Sequence, residues 1–230
     1  MKAKLPLNPP SMGEQILRLI YPAKCMLCGE ILREDARLIL CEPCTGLLPW
    51  YGKGFEFTPS MPYINGVFAA FWYENGIESA MYRMKFGKEP RLVETLASLL
   101  AQSIGSQEQL PDFDCIVPVP MYRSKRRKRG YNQSELLASL LSQGLEVPHA
   151  PGLLVKTRAT KPQSLLKREE RLTNQADVFK VPYPPLVKDK IILLVDDVAT
   201  TGTTLNACAK EFYESGAAWV YAAVIAMAPK

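Results

Sequence analysis

The sequence contains little histidine and no long run of apolar residues. His149 is the single histidine among 230 residues, and it lies in a loop between Pro148 and Pro151. We expect an incidental role for it, which removes the most common general base of enzymes. No apolar run reaches the roughly 18–20 residues that span a bilayer, so the sequence predicts no transmembrane helix.

A secretory leader is also not predicted. Met1–Pro10 contains two lysines but no apolar core ahead of a small-residue cleavage site. A cytoplasmic location is therefore the default expectation. The content of 47% hydrophobic and 22% charged residues is ordinary for a globular protein. A chain of 230 residues is long enough for one full α/β domain and a small module.

Positive charge is concentrated in one short segment. The formal net charge is +5, and removing the six basic residues between positions 123 and 129 leaves −1 for the rest of the chain. No acidic residue lies among them. This concentration predicts a local anionic partner, and the alternative is a solvated basic loop. The six residues are Arg123, Lys125, Arg126, Arg127, Lys128 and Arg129.

Four of the six cysteines form two closely spaced pairs. These are Cys25-x-x-Cys28 and Cys41-x-x-Cys44, with twelve residues between the pairs. Each pair places two thiolates on one tight turn, and four thiolates suit a tetrahedral Zn²⁺ ion. Disulfides are the alternative, but nothing in the sequence indicates secretion. Four cysteine ligands leave no open coordination position, so the predicted zinc is structural.

Apolar strands alternate with amphipathic helices along most of the chain. This alternation predicts an α/β fold with a parallel sheet covered on both faces. A short helix is predicted at Glu14–Ile20 and a linker at Pro49–Pro62. The predicted strands are Gly66–Tyr73, Cys115–Val119, Leu153–Val155, Ile191–Val195 and Trp219–Met227. The later helices are predicted at Ile77–Phe86, from Pro90 onward, at Gln133–Ser142 and at Thr203–Glu214.

The most informative segment is Ile191–Leu205, IILLVDDVATTGTTL. A buried strand here delivers Asp196 and Asp197 to its carboxyl end, where open α/β sheets bind ligands. The following turn offers backbone N–H groups, hydroxyls and the positive end of a helix dipole, which together hold a phosphate. Gly202 lets the backbone approach a ligand closely. The carboxylates suit sugar hydroxyls or a Mg²⁺ ion that bridges ligand oxygens.

Two simpler interpretations of the same segment remain open. One is an acidic strand end followed by a capped helix. The other is a phospho-acceptor pocket, in which paired aspartates also follow a strand. Such a pocket does not require the small polar residues that come next, and its aspartate pair normally follows the first strand of the fold.

Segment 191–205 resembles the signature of type I phosphoribosyltransferases, in which an apolar strand precedes two acids and a Thr/Gly loop. In that family the loop holds the 5-phosphate of 5-phosphoribosyl-1-pyrophosphate (PRPP), and the acids contact the ribose 2- and 3-hydroxyls. The resemblance implies these roles for Asp196 and Asp197 and for the loop. The loop residues are Val198, Ala199, Thr200, Thr201, Gly202, Thr203 and Thr204.

Other segments resemble the ComF family, including the competence protein ComFC. Val117–Pro120, the basic run and RGYNQ at 129–133 are similar to its VPVP…RGxNQ segment. With the four-cysteine module, the resemblance spans about residues 22–230. It implies a tail and zinc module at 1–60 and a phosphoribosyltransferase-like domain at 61–230. The residues that fit the family's R…Q…R…N pattern are Arg158, Gln163, Arg168, Arg171 and Asn174.

The ComF resemblance also implies roles for two groups of pattern residues. Arg129, Asn132 and Gln133 enter a helix and are expected to line the ligand pocket. Segment 158–174 is expected to be the mobile loop that folds over the ligand, with Arg168 as a catalytic residue. Surface pairing of Arg168 with the nearby glutamates is the alternative.

The function implied by the ComF resemblance is that of a PRPP-binding protein of natural competence. Such a protein handles incoming single-stranded DNA in the cytoplasm, and a ComF helicase-like protein is its candidate partner. The alternative is an active phosphoribosyltransferase that transfers 5-phosphoribosyl from Mg–PRPP to an unidentified acceptor and releases pyrophosphate. The chain stops at Lys230 after its last strand, so region 60–110 is expected to hold an acceptor, with Lys85–Lys88 as its candidate motif.

The basic run has two functional interpretations. In type I transferases the loop after the first strand contacts pyrophosphate, which would make residues 123–129 part of the PRPP site. Alternatively the run is a track for the phosphodiesters of single-stranded DNA, with Tyr122 and Tyr131 available for base stacking.

Overall fold

The computed structural model describes residues 12–13, 21–87, 89–159 and 178–229. The predicted helix Glu14–Ile20 and most of the predicted mobile loop, including Arg168, lie outside these residues. The described strands are β1 (Val67–Trp72), β2 (Cys115–Pro118), β3 (Val155–Lys156), β4 (Phe179–Lys180), β5 (Ile191–Ala199) and β6 (Trp219–Met227). The described helices are α1 (Glu42–Gly46), α2 (Ile77–Phe86), α3 (Pro90–Gly105), α4 (Arg123–Arg129), α5 (Gln133–Leu145) and α6 (Thr203–Glu214), with a 3₁₀ turn at Pro184–Leu186.

The main sheet has four parallel strands in the order β1-β6-β5-β2. Alternate side chains of β5 enter two separate hydrophobic clusters. Leu193 and Val195 pack with α3 and α5 on one face, whereas Ile192 and Leu194 pack with α6 on the other. A strand buried on both faces must be apolar at successive positions, which explains its sequence. The predicted α/β class with a covered parallel sheet is confirmed.

Local sequence signals explain the helices that cover this sheet. Helix α3 begins at Pro90, where the first turn tolerates a missing N–H. Its stripe of Leu92, Leu96 and Leu100 is fully buried, as the i, i+4, i+8 spacing predicts. Helix α6 has the predicted bounds, and its inward residues include Cys208 and Phe212.

The cysteine module packs onto the main sheet and its helices. Cys25, Met26 and Leu40 belong to the same hydrophobic cluster as Phe71 and the α3 leucines. Two of the hydrogen bonds that cross the junction involve side chains. The backbone N–H of Ile39 donates to Thr95 Oγ1 at 3.1 Å, and Arg83 Nη1 donates to the Met26 carbonyl at 3.1 Å. A boundary near residue 60 stays a prediction, and the module shares its core with the rest of the fold.

The segment favoured as a linker extends the hydrogen bonding of β1. The N–H of Tyr51 donates to the Ala70 carbonyl at 2.9 Å, and the N–H of Trp72 donates to the Pro49 carbonyl at 2.7 Å. An edge strand left unpaired exposes its backbone groups, so these contacts cover the free side of β1.

Two of the elements that differ from the expectation bear on the site. The basic run forms the helix α4 and is not an irregular loop; arginine and lysine are good helix formers, and Gly130 ends the helix at φ 91°. Strand β5 continues through Ala199, four residues beyond the predicted end at Val195. The two aspartates therefore belong to the last part of the strand, where pairing with β6 continues.

Candidate functional site

The carboxyl end of β5 holds the two acidic side chains next to different partners. Asp196 Oδ1 accepts hydrogen bonds from Ser134 Oγ at 2.7 Å and from the backbone N–H of Asp197 at 2.9 Å. Asp197 Oδ2 lies 3.2 Å from Lys85 Nζ in an ion pair that is mostly buried. Burial and the charge of Asp197 raise the pKa of Asp196 to about 7, against the opposing effect of the Ser134 hydrogen bond. The site therefore binds a proton close to neutral pH.

A cleft of about 620 Å³ opens beside these acids. It brings together many of the residues expected from sequence at the ligand site. Five basic side chains and two acidic ones line it, so the cleft favours an anion with hydroxyl groups. Its lining residues include Lys85, Lys125, Lys128, Arg129, Asn132, Gln133, Ser134, Lys156, Asp196, Asp197 and Thr204.

Burial and mutual repulsion affect the lysines of this cleft. Burial and the charge of Arg129 lower the pKa of Lys125, and burial and the charge of Lys125 lower the pKa of Lys156. Lys156 comes from β3, and nothing in its local sequence indicates a place in the cleft. A ligand with several negative charges would relieve this repulsion.

The turn after β5 leads directly into α6. Gly202 adopts φ 73° immediately before the helix, and a Cβ atom built there would lie 2.2 Å from Met61 Sδ. Glycine is favoured because the left-handed conformation strains other residues and a Cβ atom would force the Met61 side chain to move. The hydroxyls of Thr201 and Thr203 lie 2.7 Å apart.

Of the predicted loop residues 198–204, Thr204 lines the cleft and the other six do not. Thr200 and Thr201 are exposed, and Thr203 and Thr204 are half-buried at the helix start. Val198 is also half-buried. Ala199 differs, because its side chain is buried and its carbonyl accepts a hydrogen bond from Ala228.

Asn132 and Gln133 keep unpaired polar atoms although both side chains are buried. Asn132 Nδ2 donates to the Val119 carbonyl at 3.2 Å, and Arg129 Nη1 donates to Gln133 Oε1 at 2.8 Å. Asn132 Oδ1 and Gln133 Nε2 have no partner within the described part of the chain. An unsatisfied buried polar atom costs about 1–3 kcal/mol. A polar ligand or a water molecule would satisfy these two atoms.

The basic residues of helix α4 lie in different surroundings. Lys125 and Lys128 line the cleft with Arg129. Arg126 lies 3.4 Å from Glu135, with the two residues joined by an ion pair. Arg123 and Arg127 are exposed and line neither the cleft nor the second cavity described below.

The two tyrosines suggested for base stacking are less available than expected. Tyr122 is half-buried at the cleft. Tyr131 is also half-buried, and its hydroxyl donates to the Met84 carbonyl. The aromatic side chains that are exposed near α4 belong to another helix.

The four predicted zinc ligands lie together. Their Sγ atoms are all within 4.8 Å of one another, and those of Cys28 and Cys41 are 3.7 Å apart. Two sulfurs on a tetrahedral Zn²⁺ ion are about 3.8 Å apart when each Zn–S bond is about 2.3 Å. The cysteines are free thiols in the structure, which does not fit the disulfide alternative. The donor set therefore fits a tetrahedral metal ion such as zinc.

The thiols of this cluster differ in pKa. Although burial alone would raise it, backbone N–H groups that include those of Cys28 and Cys41 lower the pKa of Cys25 to about 6. The Cys41 thiol and burial raise the pKa of Cys44 to about 12. A bound cation would allow all four sulfurs to be thiolates.

Comparison with known proteins agrees with this fold. Residues 132–230 match the phosphoribosyl transferase domain family. A glutamine PRPP amidotransferase structure from Bacillus subtilis aligns with a TM-score of 0.43 and 18% identity, over 63% of this chain and 30% of that one. The similarity to the amidotransferase structure concerns the fold alone. The parallel sheet and this domain match define a protein of the phosphoribosyltransferase fold.

Relatives that match over most of this chain identify the family within this class. The DNA utilization protein YhgH of Escherichia coli is 31% identical over 85% of this chain and 86% of its own length. Competence protein F of Haemophilus influenzae is 28% identical over 83% of this chain and 86% of its own length. Competence protein ComFC of Bacillus subtilis is 27% identical over 65% of this chain and 59% of its own length. The chain belongs to the ComF family, as the sequence motifs predict.

Proposed function

We propose that the chain binds PRPP in the cleft at the carboxyl end of β5. The observation that carries this proposal is the acid pair, Asp196 and Asp197, beside a Thr/Gly turn in a cleft with five basic side chains. Carboxylates accept hydrogen bonds from ribose hydroxyls, and a turn at a helix start holds a phosphate. One site thus has separate places for the sugar and for its phosphates.

The roles of the cleft residues follow from their chemistry. Asp196 and Asp197 would accept the ribose 2- and 3-hydroxyls, and the N–H groups and hydroxyls of residues 200–204 would hold the 5-phosphate. Lys125, Lys128 and Arg129 would face the pyrophosphate. A Mg²⁺ ion would supply further charge neutralisation on the phosphate oxygens. Lys85 would exchange its ion pair with Asp197 for a contact with the ligand.

We further propose that the protein handles single-stranded DNA in the cytoplasm during natural competence. The names of the relatives, Competence protein F and DNA utilization protein YhgH, support this role. The exposed basic side chains of α4 suit phosphodiester groups. A ComF helicase-like protein remains the proposed partner. No described helix is long and apolar enough to cross a bilayer.

Zinc is the metal proposed for the cysteine cluster. Four thiolates in tetrahedral contact suit Zn²⁺ and leave no position for a reacting water. The ion would hold together a segment whose apolar residues, among them Met26, Ile39 and Leu40, pack into the core of the main sheet. Its role is therefore structural.

Titration calorimetry with Mg–PRPP tests the ligand proposal. We expect saturable binding by the unaltered protein and a loss of roughly 10-fold or more for Asp197→Asn, since a hydrogen bond to a charged group is worth about 1.5–3 kcal/mol. Asp112→Asn is the matched control, because Asp112 is exposed and precedes β2 at the opposite end of the sheet. Equal affinities for the unaltered protein and Asp197→Asn, or no binding by either, would contradict the proposal.

Phosphoribosyl transfer is a second candidate, favoured by the size of the cleft. A volume of about 620 Å³ lies well within the roughly 300–1,000 Å³ range of small-molecule sites and leaves room for an acceptor. In the reaction, the bond between ribose C1 and pyrophosphate breaks and a bond from C1 to the acceptor forms. The test is pyrophosphate release from PRPP with bases, nucleosides and single-stranded DNA. No release in the presence of measured PRPP binding would leave a binding protein.

A further inference from the structure

Helix α2 exposes an aromatic pair on its outer face. Tyr82 is 65% exposed and Phe86 is 61% exposed, and their ring centroids lie 4.9 Å apart. The residues are four positions apart, so they are neighbours on one face of the helix. The core requires the opposite face of α2, which buries Ala80 and Met84. Packing within the described part of the chain therefore does not account for Tyr82 and Phe86.

This aromatic pair is joined to the basic helix α4. The guanidinium carbon of Arg129, the last residue of α4, lies 5.2 Å from the centroid of the Phe86 ring. Tyr131, just beyond α4, holds the two elements together through its hydroxyl bond to the Met84 carbonyl. The rings are thus placed at the end of a helix rich in positive charge.

A second cavity of about 620 Å³ meets the same arginine. Arg126, Arg129, Asn132, Glu135 and His149 contribute to its lining. Asn132 Oδ1 and His149 Nε2 are buried atoms without a partner among the described residues. Burial lowers the pKa of His149, although the charge of Glu135 opposes this. A neutral imidazole, an amide oxygen and guanidinium groups suit the donors and acceptors on the edge of a nucleobase.

We propose that Tyr82, Phe86 and Arg129 form a stacking surface for the bases of single-stranded DNA. The phosphates of the strand would follow the exposed basic residues of α4, and one base would place its edge in the second cavity. Single-stranded nucleic acid fits because its bases are free to stack on aromatic and guanidinium planes, whereas the bases of a duplex are already stacked. The inference rests on the DNA role under "Proposed function" and assigns its base contacts to α2, in place of Tyr122 and Tyr131.

Fluorescence anisotropy with labelled oligo-dT and an abasic strand of the same length tests this surface. Base stacking on one aromatic side chain is worth about 1–3 kcal/mol, which corresponds to roughly 5- to 150-fold in affinity. We expect a Tyr82→Leu/Phe86→Leu variant to lose at least roughly 10-fold in affinity for oligo-dT. Its affinity for the abasic strand and its dependence on salt should stay unchanged, because no phosphate contact is removed.

Tyr183→Leu is the matched control, since Tyr183 is 60% exposed and lies beside the 3₁₀ turn. It should bind oligo-dT as the unaltered protein does. A thermal melt of each variant confirms that folding is retained. Because both altered side chains are exposed, little change in melting temperature is expected.

The possible results separate this inference from the DNA role itself. If the unaltered protein binds oligo-dT and the double variant binds it equally well, the stacking surface is wrong and the DNA role stands. If the unaltered protein binds oligo-dT and the abasic strand with equal affinity, the surface is also wrong. If it binds no oligonucleotide, the DNA role is wrong as well. Tighter binding to duplex DNA or to RNA would overturn the assignment to single-stranded DNA.

Discussion

At the scale of single residues, the most consequential group is Asp196. Its carboxyl is held by Ser134 Oγ and the Asp197 N–H, yet burial and the second acid raise its pKa to about 7. A raised pKa means that the folded chain binds a proton more tightly than the unfolded chain does. The stability contributed by protonated Asp196 therefore decreases as pH rises from about 4 to about 7. A ligand that needs the carboxylate must displace this proton.

The affinity for Mg–PRPP is expected to increase with pH through this group. Between about pH 6 and 8 the fraction of ionised Asp196 rises, and only the carboxylate accepts hydrogen bonds from ribose hydroxyls with both oxygens. We expect a gain of roughly 5- to 10-fold over this range, measured by titration calorimetry at a series of pH values. The ionised fraction of a carboxyl group with a pKa near 7 changes by about this factor between pH 6 and 8.

Asp196→Asn is the control for that pH dependence. The variant retains the shape of the side chain and has no proton to lose, so any remaining dependence on pH belongs to the ligand or to other groups. Its binding should be weak, with a slope against pH that is smaller than that of the unaltered protein. Identical slopes for both proteins would remove Asp196 from the explanation.

At the scale of elements, helix α4 places the clustered basic residues on two different faces. Lys125 and Lys128 are three positions apart and line the cleft, whereas Arg123 and Arg127 are four positions apart and remain exposed outside it. Residues three or four positions apart share a helix face. The sequence left open whether the basic run contacts pyrophosphate or DNA. In the helix, one pair of residues is available to a ligand in the cleft and the other pair to a ligand outside it.

Paired variants of α4 should separate the two ligands. Lys125→Ala/Lys128→Ala is expected to weaken Mg–PRPP binding by roughly 10-fold or more, because charge-assisted contacts to phosphate are lost. Arg123→Ala/Arg127→Ala should leave PRPP affinity unchanged and reduce the salt slope of single-stranded DNA binding by about 1.4, at about 0.7 for each phosphate contact. Each double variant serves as the control for the other. Equal losses of PRPP affinity in both would contradict the division into faces.

At the scale of the whole molecule, helix α2 connects the cysteine cluster to the ligand cleft. Arg83 donates to the Met26 carbonyl within the first cysteine turn, and Lys85 reaches Asp197. Cys25, Cys44 and their apolar neighbours share the core of the main sheet. The metal site is therefore expected to support more than its own segment.

Removal of the metal should destabilise the whole fold. We expect a strong zinc chelator to lower the melting temperature by roughly 10 °C or more in a single calorimetric transition. Binding of Mg–PRPP should weaken in the same samples, because α2 carries Lys85. Cys115→Ala is the control: Cys115 is buried in β2 away from the cluster, so this variant should respond to chelator as the unaltered protein does. A separate low-temperature transition with unchanged PRPP binding would show that the module is independent.

The sequence by itself determined the features that depend on short-range patterns. The bounds of α2, α6 and β6, the acid pair at a strand end and the four clustered cysteines all follow from local periodicity, turn chemistry and ligand spacing. The fold class follows from the same periodicity, and the ComF family was predicted from the resemblance of the sequence motifs. These signals lie within segments of about 15–20 residues or fewer.

Only the tertiary structure decided which distant side chains meet at the site. Ser134 reaches Asp196 across 62 positions, and Lys85, Lys156 and Asp197 come from three different elements. Their meeting depends on the strand order β1-β6-β5-β2, because adjacent strands and the helices between them bring remote segments to one edge of the sheet. Local patterns reveal that such strands exist but do not fix their order, so these contacts could not be read from the sequence.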